Sequence, residues 1–222
     1  KAEYGRSSGG VLSVVTKTGT NQFAGSVYGF FRDKKLNSLK ESEKRAGIDK
    51  QPFERKQYGA SLGGPLLKDK AHFFATYEKT EKDTLYTVST GGIFPEFDNK
   101  AFALPFEDEL GTAKATWDIS AKQYLQVRYG FQENSDKYGA SPLALPSALG
   151  TVSNEYSSIL AGHTLQLGAD ALNEALFQFT EFTNTISADS NEPNLVFPSG
   201  VIRGQNPNTP QLTAQTKYQY RD

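Results

Sequence analysis

Apolar and polar residues alternate with a period of two along most of the chain. In 113–119, Ala113, Ala115, Trp117 and Ile119 fall on one side, and Lys114, Thr116 and Asp118 on the other. In 124–132, Leu125, Val127, Tyr129 and Phe131 oppose Gln126, Arg128, Gly130 and Gln132. The same holds for Tyr58, Ala60 and Leu62 against Gln57, Gly59 and Ser61, and for Ala71, Phe73, Ala75 and Tyr77 against His72, Phe74, Thr76 and Glu78. Further on, Ala175, Phe177 and Phe179 oppose Leu176, Gln178 and Thr180. A period of two predicts strands with one apolar face. Each run is about nine to eleven residues, the length at which a tilted strand crosses a bilayer.

The links between runs alternate in length. Long ones cover about 33–54, 81–110, 134–153 and 185–214, and short ones cover 65–70, 120–122 and 168–172. A soluble sandwich gives no reason for that order. An outer-membrane barrel does, because its periplasmic turns are short and its extracellular loops long. The apolar faces then meet lipid and the polar faces line a lumen. Tyr28, Tyr77, Tyr129, Phe131 and Tyr156 stand near strand ends and suit the aromatic girdles of the two interfaces. In 157–167 the lipid parity takes Ile159, Ala161, Leu165 and Leu167 but also His163, which suggests a β-bulge or a shifted register. The run 22–32 does not declare its parity.

Composition narrows the chemistry. Among 222 residues, 24 Lys and Arg offset 25 Asp and Glu, so there is no electrostatic case for nucleic acid. Cysteine is absent and only His72 and His163 are present, which disfavours a metal site. Gly59-Ala60-Ser61-Leu62-Gly63 matches the serine-hydrolase elbow pattern, and Ser61, Asp118 and His163 occur in triad order. Yet Leu62-Gly63-Gly64-Pro65 is a poor helix start, and His163 has the opposite parity to Ser61 and Asp118. The stretch therefore reads as a β-hairpin, with no catalytic residue and no cofactor. Gly9-Gly10 and Gly63-Gly64 lack the Lys-Ser/Thr and helix of a phosphate loop, and read as bends. Residues 34–56 read as a solvated loop with a helical turn near 39–45. The Asn/Pro-rich stretch 191–210 reads as a surface loop, with a ligand-gating lid as the alternative.

Residues 9–20 differ. Val11, Leu12, Val14 and Val15 make both faces apolar, as in a strand buried on both sides. "TGTN" after it is turn chemistry. The segment "AEYGRSSGGVLSVVTKTGTNQFAGSVYGFFR" (2–32) closely resembles the plug-to-barrel junction of TonB-dependent outer-membrane receptors, most of all the Oar-like branch. "FERKQYGASLGGPLLKDKAHFFATYEKTEK" (53–82) resembles the second and third barrel strands of that branch.

That resemblance implies residues 1–20 as the end of a plug domain and 21–222 as the N-terminal, incomplete part of a larger barrel. It implies an all-β fold with about eight antiparallel membrane strands. It also implies a place in the cell outer membrane, with lipid outside, the TonB complex as partner through the plug, and import of a scarce bulky ligand such as a metal chelate, vitamin or glycan. A surface, secretion or adhesion barrel of the same architecture is the alternative, and a soluble β-rich binding module is a second. Glu3 and Arg6 at the plug exit, with Glu78, Asp118 and Arg128 on the lumen parity, are candidates for plug–barrel ion pairs. The chain reads as an internal piece of a longer protein, so the isolated sheet should be open-edged with its apolar face bare. A compact two-sheet core would contradict the reading.

Overall fold

The computed structural model describes residues 15–36, 38, 41–45, 53–206 and 214–221, the last segment and residues 42 and 43 by backbone alone. Eight strands form one antiparallel sheet in chain order: β1 (Ala24–Asp33), β2 (Phe53–Leu67), β3 (Ala71–Thr87), β4 (Ala101–Ser120), β5 (Gln123–Tyr138), β6 (Gly150–Gln166), β7 (Leu172–Ala188) and β10 (Ala214–Arg221). Between β7 and β10 lies a short ribbon, β8 (Leu195–Val196) with β9 (Ile202–Arg203). One helical turn, α1 (Glu41–Arg45), stands in the β1–β2 loop, within the stretch where a turn was expected. Among the described residues β1 and β10 each have a single partner, so the sheet they form does not close on itself.

The strands outrun the expected crossing length: β4 has 20 residues, and β3, β6 and β7 have 17 each. The long links shrink to match, to 88–100 and 139–149 for the second and third. The reason lies on the outer face. Beyond Tyr77 and Gly111 the outer parity turns charged, with Lys79 and Glu81 on β3 opposite Glu109 and Glu107 on β4. Alternation of apolar with polar then ends, while the backbone ladder continues above the membrane.

One parity carries the apolar band, and cross-strand register makes it continuous. Ala60 pairs with Tyr77, Ala75 with Ala113, Ala115 with Val127, Tyr129 with Ile159, and Ile159 with Phe179. This face is bare, with Val27 85%, Trp117 47%, Tyr129 47% and Phe177 52% exposed, and among the described residues no second sheet covers it. From Leu125 to Phe131 the band runs about 20 Å along the strand, flanked by aromatic rings, as a lipid-facing band requires. β1 now declares its parity. Val27 and Phe31 join the outer face opposite Ala60 and Lys56, and Ser26 and Tyr28 face inward opposite Ser61 and Gly59.

Three expectations need correction. Register is regular through His163, which pairs with Leu125 and Ala175, so no bulge turns it inward and it stays on the outer face. The two register shifts fall instead beside short turns, at Pro65/Leu67 and Asp118/Ser120, where a tight connection must absorb an extra residue. Tyr28 and Tyr156 are not girdle residues, because Tyr28 pairs with Gly59, and Tyr156 with Gln132 and Phe182, all on the inner parity. Tyr77, Tyr129 and Phe131 do lie on the outer face.

A hydrophobic core exists, but not behind the sheet. Among the described residues the buried apolar ones are Val88, Ala144, Leu145, Ala148, Leu149 and Val201, all in or beside the long loops.

Candidate functional site

Three long connections on one end of the sheet meet as a single folded cap. The β3–β4 loop donates Ser89 N–H to the Pro142 carbonyl of the β5–β6 loop at 2.7 Å. The β5–β6 loop exchanges backbone bonds with β9: Leu145 N–H to the Ile202 carbonyl at 2.9 Å, and Ile202 N–H to the Leu143 carbonyl at 2.8 Å. Asn206 donates its side-chain amide to the Ala148 carbonyl at 2.7 Å, and Gly204 N–H reaches Ser147 Oγ at 3.0 Å. Inside the junction, Val88, Leu145 and Val201 are excluded from water. Above it, the Phe94 and Phe197 rings meet edge to face with centroids 5.3 Å apart, and the Arg203 guanidinium lies 5.7 Å from the Phe94 centroid. The stretch 191–206 is therefore built into a structure.

The β3–β4 loop is shaped by Asp98. Its carboxylate accepts from the Thr90 backbone N–H, from the Thr90 hydroxyl at 2.7 Å and from Gly92 N–H at 2.7 Å. These donors, Thr90 first, hold the Asp98 carboxyl below its ordinary pKa. Gly91 and Gly92 take positive φ, 65° and 88°, which an L side chain would resist. A second tie joins Lys137, Thr151 and Asp189: Lys137 Nζ is 2.8 Å from Asp189 and 2.9 Å from Thr151 Oγ1, which donates to Asp189 at 2.7 Å.

The inner wall is polar and cross-linked. Asn184 donates to Asn154 at 2.7 Å, and Asn154 to Asn134 at 2.9 Å, a ladder across β7, β6 and β5. Gln132 donates to Asp108 at 2.9 Å. Near the tight-turn end a groove of about 380 Å³ opens between the incoming chain (Thr16, Lys17) and wall residues Ser26, Tyr28, Phe74 and Lys114. Val15–Thr20 carry no regular structure and Val15 is exposed, so these residues do not continue the strand expected over 9–20. Residues 1–14 lie outside the described residues.

The candidate pairing residues separate. Glu3 and Arg6 lie outside the described residues. Glu78 is on the inner wall, accepting from the Tyr28 hydroxyl and from Gln57 Nε2, the latter at 2.9 Å. Asp118 sits at the tight-turn end, opposite Tyr124. Arg128 lies directly across from Lys114, two cations side by side on the inner parity. Among the described residues, none of these three forms an ion pair with another. The ion pairs found lie elsewhere, as with Lys79 and Glu109 at 2.8 Å on the outer face.

The elbow pattern resolves as geometry of the wall. Ser61 lies mid-strand in β2, its hydroxyl 2.8 Å from Ser26 Oγ. Asp118 is at the far end of β4, and His163 faces outward from β6. The two glycines have separate reasons. A Cβ on Gly59 would stand 2.6 Å from the Tyr28 hydroxyl, so a bare backbone lets Tyr28 cross β2 to reach Glu78. A Cβ on Gly63 would stand 2.7 Å from Cδ2 of Phe74 and 3.5 Å from the Gly19 backbone. Gly63-Gly64 is thus not a bend but a smooth place in the strand under the incoming chain.

Sequence reasoning missed the cap core and Asn21. Asn21 donates to Asp69 at 2.6 Å, accepts Asp69 N–H at 2.8 Å and lies 3.0 Å from His72 Nε2. The signal was present in "TGTN", read there only as turn chemistry.

Residues 15–101 match the family described as outer membrane beta barrel domain. Over 130 residues the chain is 39% identical to the TonB-dependent transporter Oar of Myxococcus xanthus; the match takes in 57% of this chain and 12% of that protein's length. No solved structure matches the chain. Both findings agree with a single antiparallel sheet, bare and apolar outside and polar inside, with tight turns at one end and long loops at the other. Over these stretches the chain is similar to outer-membrane β-barrels and to an Oar-like TonB-dependent transporter, and its place is the cell outer membrane.

Proposed function

We propose that the chain forms part of the wall and outer mouth of a TonB-dependent receptor that imports a scarce, bulky ligand. The observation that carries this is the asymmetry of the two ends. Long loops knit into a structured cap at one end. At the other, the chain enters along the inner wall, where a plug would leave the lumen. In this reading the cap takes part in capture outside, the polar wall lines the path, and TonB supplies work through the plug. Bulky cargo, whether metal chelate, vitamin or glycan, would meet the cap aromatics and Arg203 first. A barrel serving adhesion or secretion at the surface is the second reading, favoured by how firmly the cap is held together. The strands of this chain leave two open edges, which lipid does not tolerate, so further strands complete the barrel.

Within that reading, Glu3 and Arg6 pair with wall charges when the plug is seated. The wall charges proposed for this pairing are Glu78, Asp118 and Arg128. Charge reversal at Arg6 should then loosen plug retention, and unchanged retention would refute the pairing.

The test of topology uses the absence of native cysteine in the chain. Cysteine replaces Ser42 in the β1–β2 loop or Ala121 in the β4–β5 turn of the whole protein, and an impermeant reagent is added to intact cells. Ser42→Cys should label and Ala121→Cys should not. Equal labelling would refute the orientation. Loss of uptake on deletion of TonB separates import from the adhesion reading.

A further inference from the structure

We infer that residues 19–23 form a mechanical clamp that fixes the plug-to-wall linker to the β2–β3 hairpin, so that force on the plug stops there. This rests on the TonB-driven reading above, since only a pulled plug needs such a stop. Three contacts build it. First, Gly19 lies flat on the hairpin. A Cβ there would fall on the Phe73 carbonyl and within 2.7 Å of the Gly64 carbonyl, so only glycine fits the approach. Gly63, buried beneath it, offers no side chain either.

Second, the Asn21 side chain uses both of its ends on the β2–β3 turn. Its amide donates to the Asp69 carboxylate at 2.6 Å, and its carbonyl accepts Asp69 N–H at 2.8 Å. The same oxygen is 3.0 Å from His72 Nε2 on β3. Asp69 itself holds a φ of 63°, a conformation that a short polar residue tolerates. Third, the Phe23 ring passes to the outer face, over Gly64 and 6.3 Å from the Phe73 ring. The linker thus straddles the bottom of the hairpin, inside and outside, before β1 begins at Ala24.

The mechanical consequence follows from strand geometry. β1 starts at this end and, among the described residues, pairs with β2 alone, beginning at Ala24 with Gly63; in the completed barrel a further strand would flank its other side. Tension arriving at Ala24 from the tight-turn side would lift the β1 ladder one pair at a time, the weakest way to load a sheet. The clamp intercepts that load. Tension at Gly19 passes into the β2–β3 turn and is shared between two strands of 15 and 17 residues. The plug side can then be displaced while β1 stays in the wall.

The test is single-molecule pulling on the whole protein in outer-membrane patches, tethered at its N-terminus, with neither TonB nor ligand present. The wild type should give a force peak whose stretched length ends at residues 19–21, before β1 lifts. Asn21→Ala should lose that peak, with the stretched length running on into β1. His72→Ala, which removes one of the contacts of Asn21, should lower the peak without abolishing it. Should Asn21→Ala assemble poorly, Asn21→Asp serves instead. It keeps the acceptor for Asp69 N–H but sets a carboxylate against the Asp69 carboxylate, and the peak should fall there too. Variant traces that superpose on the wild type, or no peak at 19–21 in the wild type, overturn the clamp. Because pulling needs no TonB, that result leaves the import reading standing. TonB-independent uptake would overturn import and leave the clamp standing.

Discussion

Leu145→Ala should open the whole cap, not only the loop that carries Leu145. The side chain is 1% exposed, and its own backbone N–H is one of the two bonds that Leu143 and Leu145 exchange with Ile202 of β9. Removing a fully buried leucine costs about 3 kcal/mol, with a usual range of about 2–5. At about 1.4 kcal/mol per tenfold, the open form of the cap becomes more populated by on the order of a hundredfold. Hydrogen exchange on the whole protein in lipid reads this directly. The reporting amides are Ser89 (to Pro142), Leu145 (to Ile202), Ile202 (to Leu143) and Gly204 (to Ser147), one or more from each loop. In the wild type they should exchange as a cooperative group. In the variant all four should accelerate by a similar factor, while amides in the middle of β4 and β5 hold their rates. Acceleration confined to Leu145 and Ile202, with Ser89 and Gly204 unchanged, would mean that the loops open separately and that the cap is no unit.

Two further outcomes follow from the two faces and from Asp98. Val127→Arg places a cation on the lipid face and should cost about 2–4 kcal/mol of assembly; Gln126→Arg, one residue away on the inner parity, should cost little, and equal losses of heat-modifiable folded protein would contradict the assignment of faces. The Asp98 carboxyl is held below its ordinary value in the folded loop, so its contribution is present above about pH 4 and is lost as pH falls through the lowered value. Protease cleavage in 88–100 should therefore rise in that acid window, and Asp98→Asn should flatten the dependence; a profile identical in wild type and variant would refute the role of Asp98.

The membrane band was legible because lipid and lumen impose opposite demands on adjacent residues. Ala113, Ala115 and Trp117 against Lys114 and Thr116 carry that demand in plain alternation. Above the membrane the demand disappears, and with it the signal: Lys79, Glu81, Glu107 and Glu109 face water on the outside, so the upper ends of β3 and β4 read as loop although their ladder is intact. β1 hid its parity for a different reason. Tyr28 is inward because it reaches Glu78 across Gly59, a choice made by a residue on the third strand and invisible in local pattern. The cap was illegible because its core is drawn from Val88, Leu145 and Val201, residues distant in the chain, each of which looks like a lone apolar residue in a loop. The elbow-like glycines were visible as a motif, but their reason lay in Tyr28 and Gly19.

The distribution of weak points in the wall bears on how its two ends can communicate. Between cap and clamp run β2 to β5, whose pairing is regular except at two register shifts. Both shifts, at Pro65/Leu67 and Asp118/Ser120, lie beside short turns at the clamp end. A ladder interrupted only there has no soft point along its length at which a strand could slide or bend independently. Sliding by one residue would also exchange the two faces, placing Lys114 in lipid and Ala115 in the lumen, which the membrane forbids. The wall between the ends is thus a rigid strut. In the proposed receptor, a signal from ligand at the cap would not pass down it as a change of register. It would pass through a plug in the lumen, and the inner face, with its Asn134–Asn154–Asn184 ladder and the groove beside Thr16 and Lys17, is the surface that would receive it.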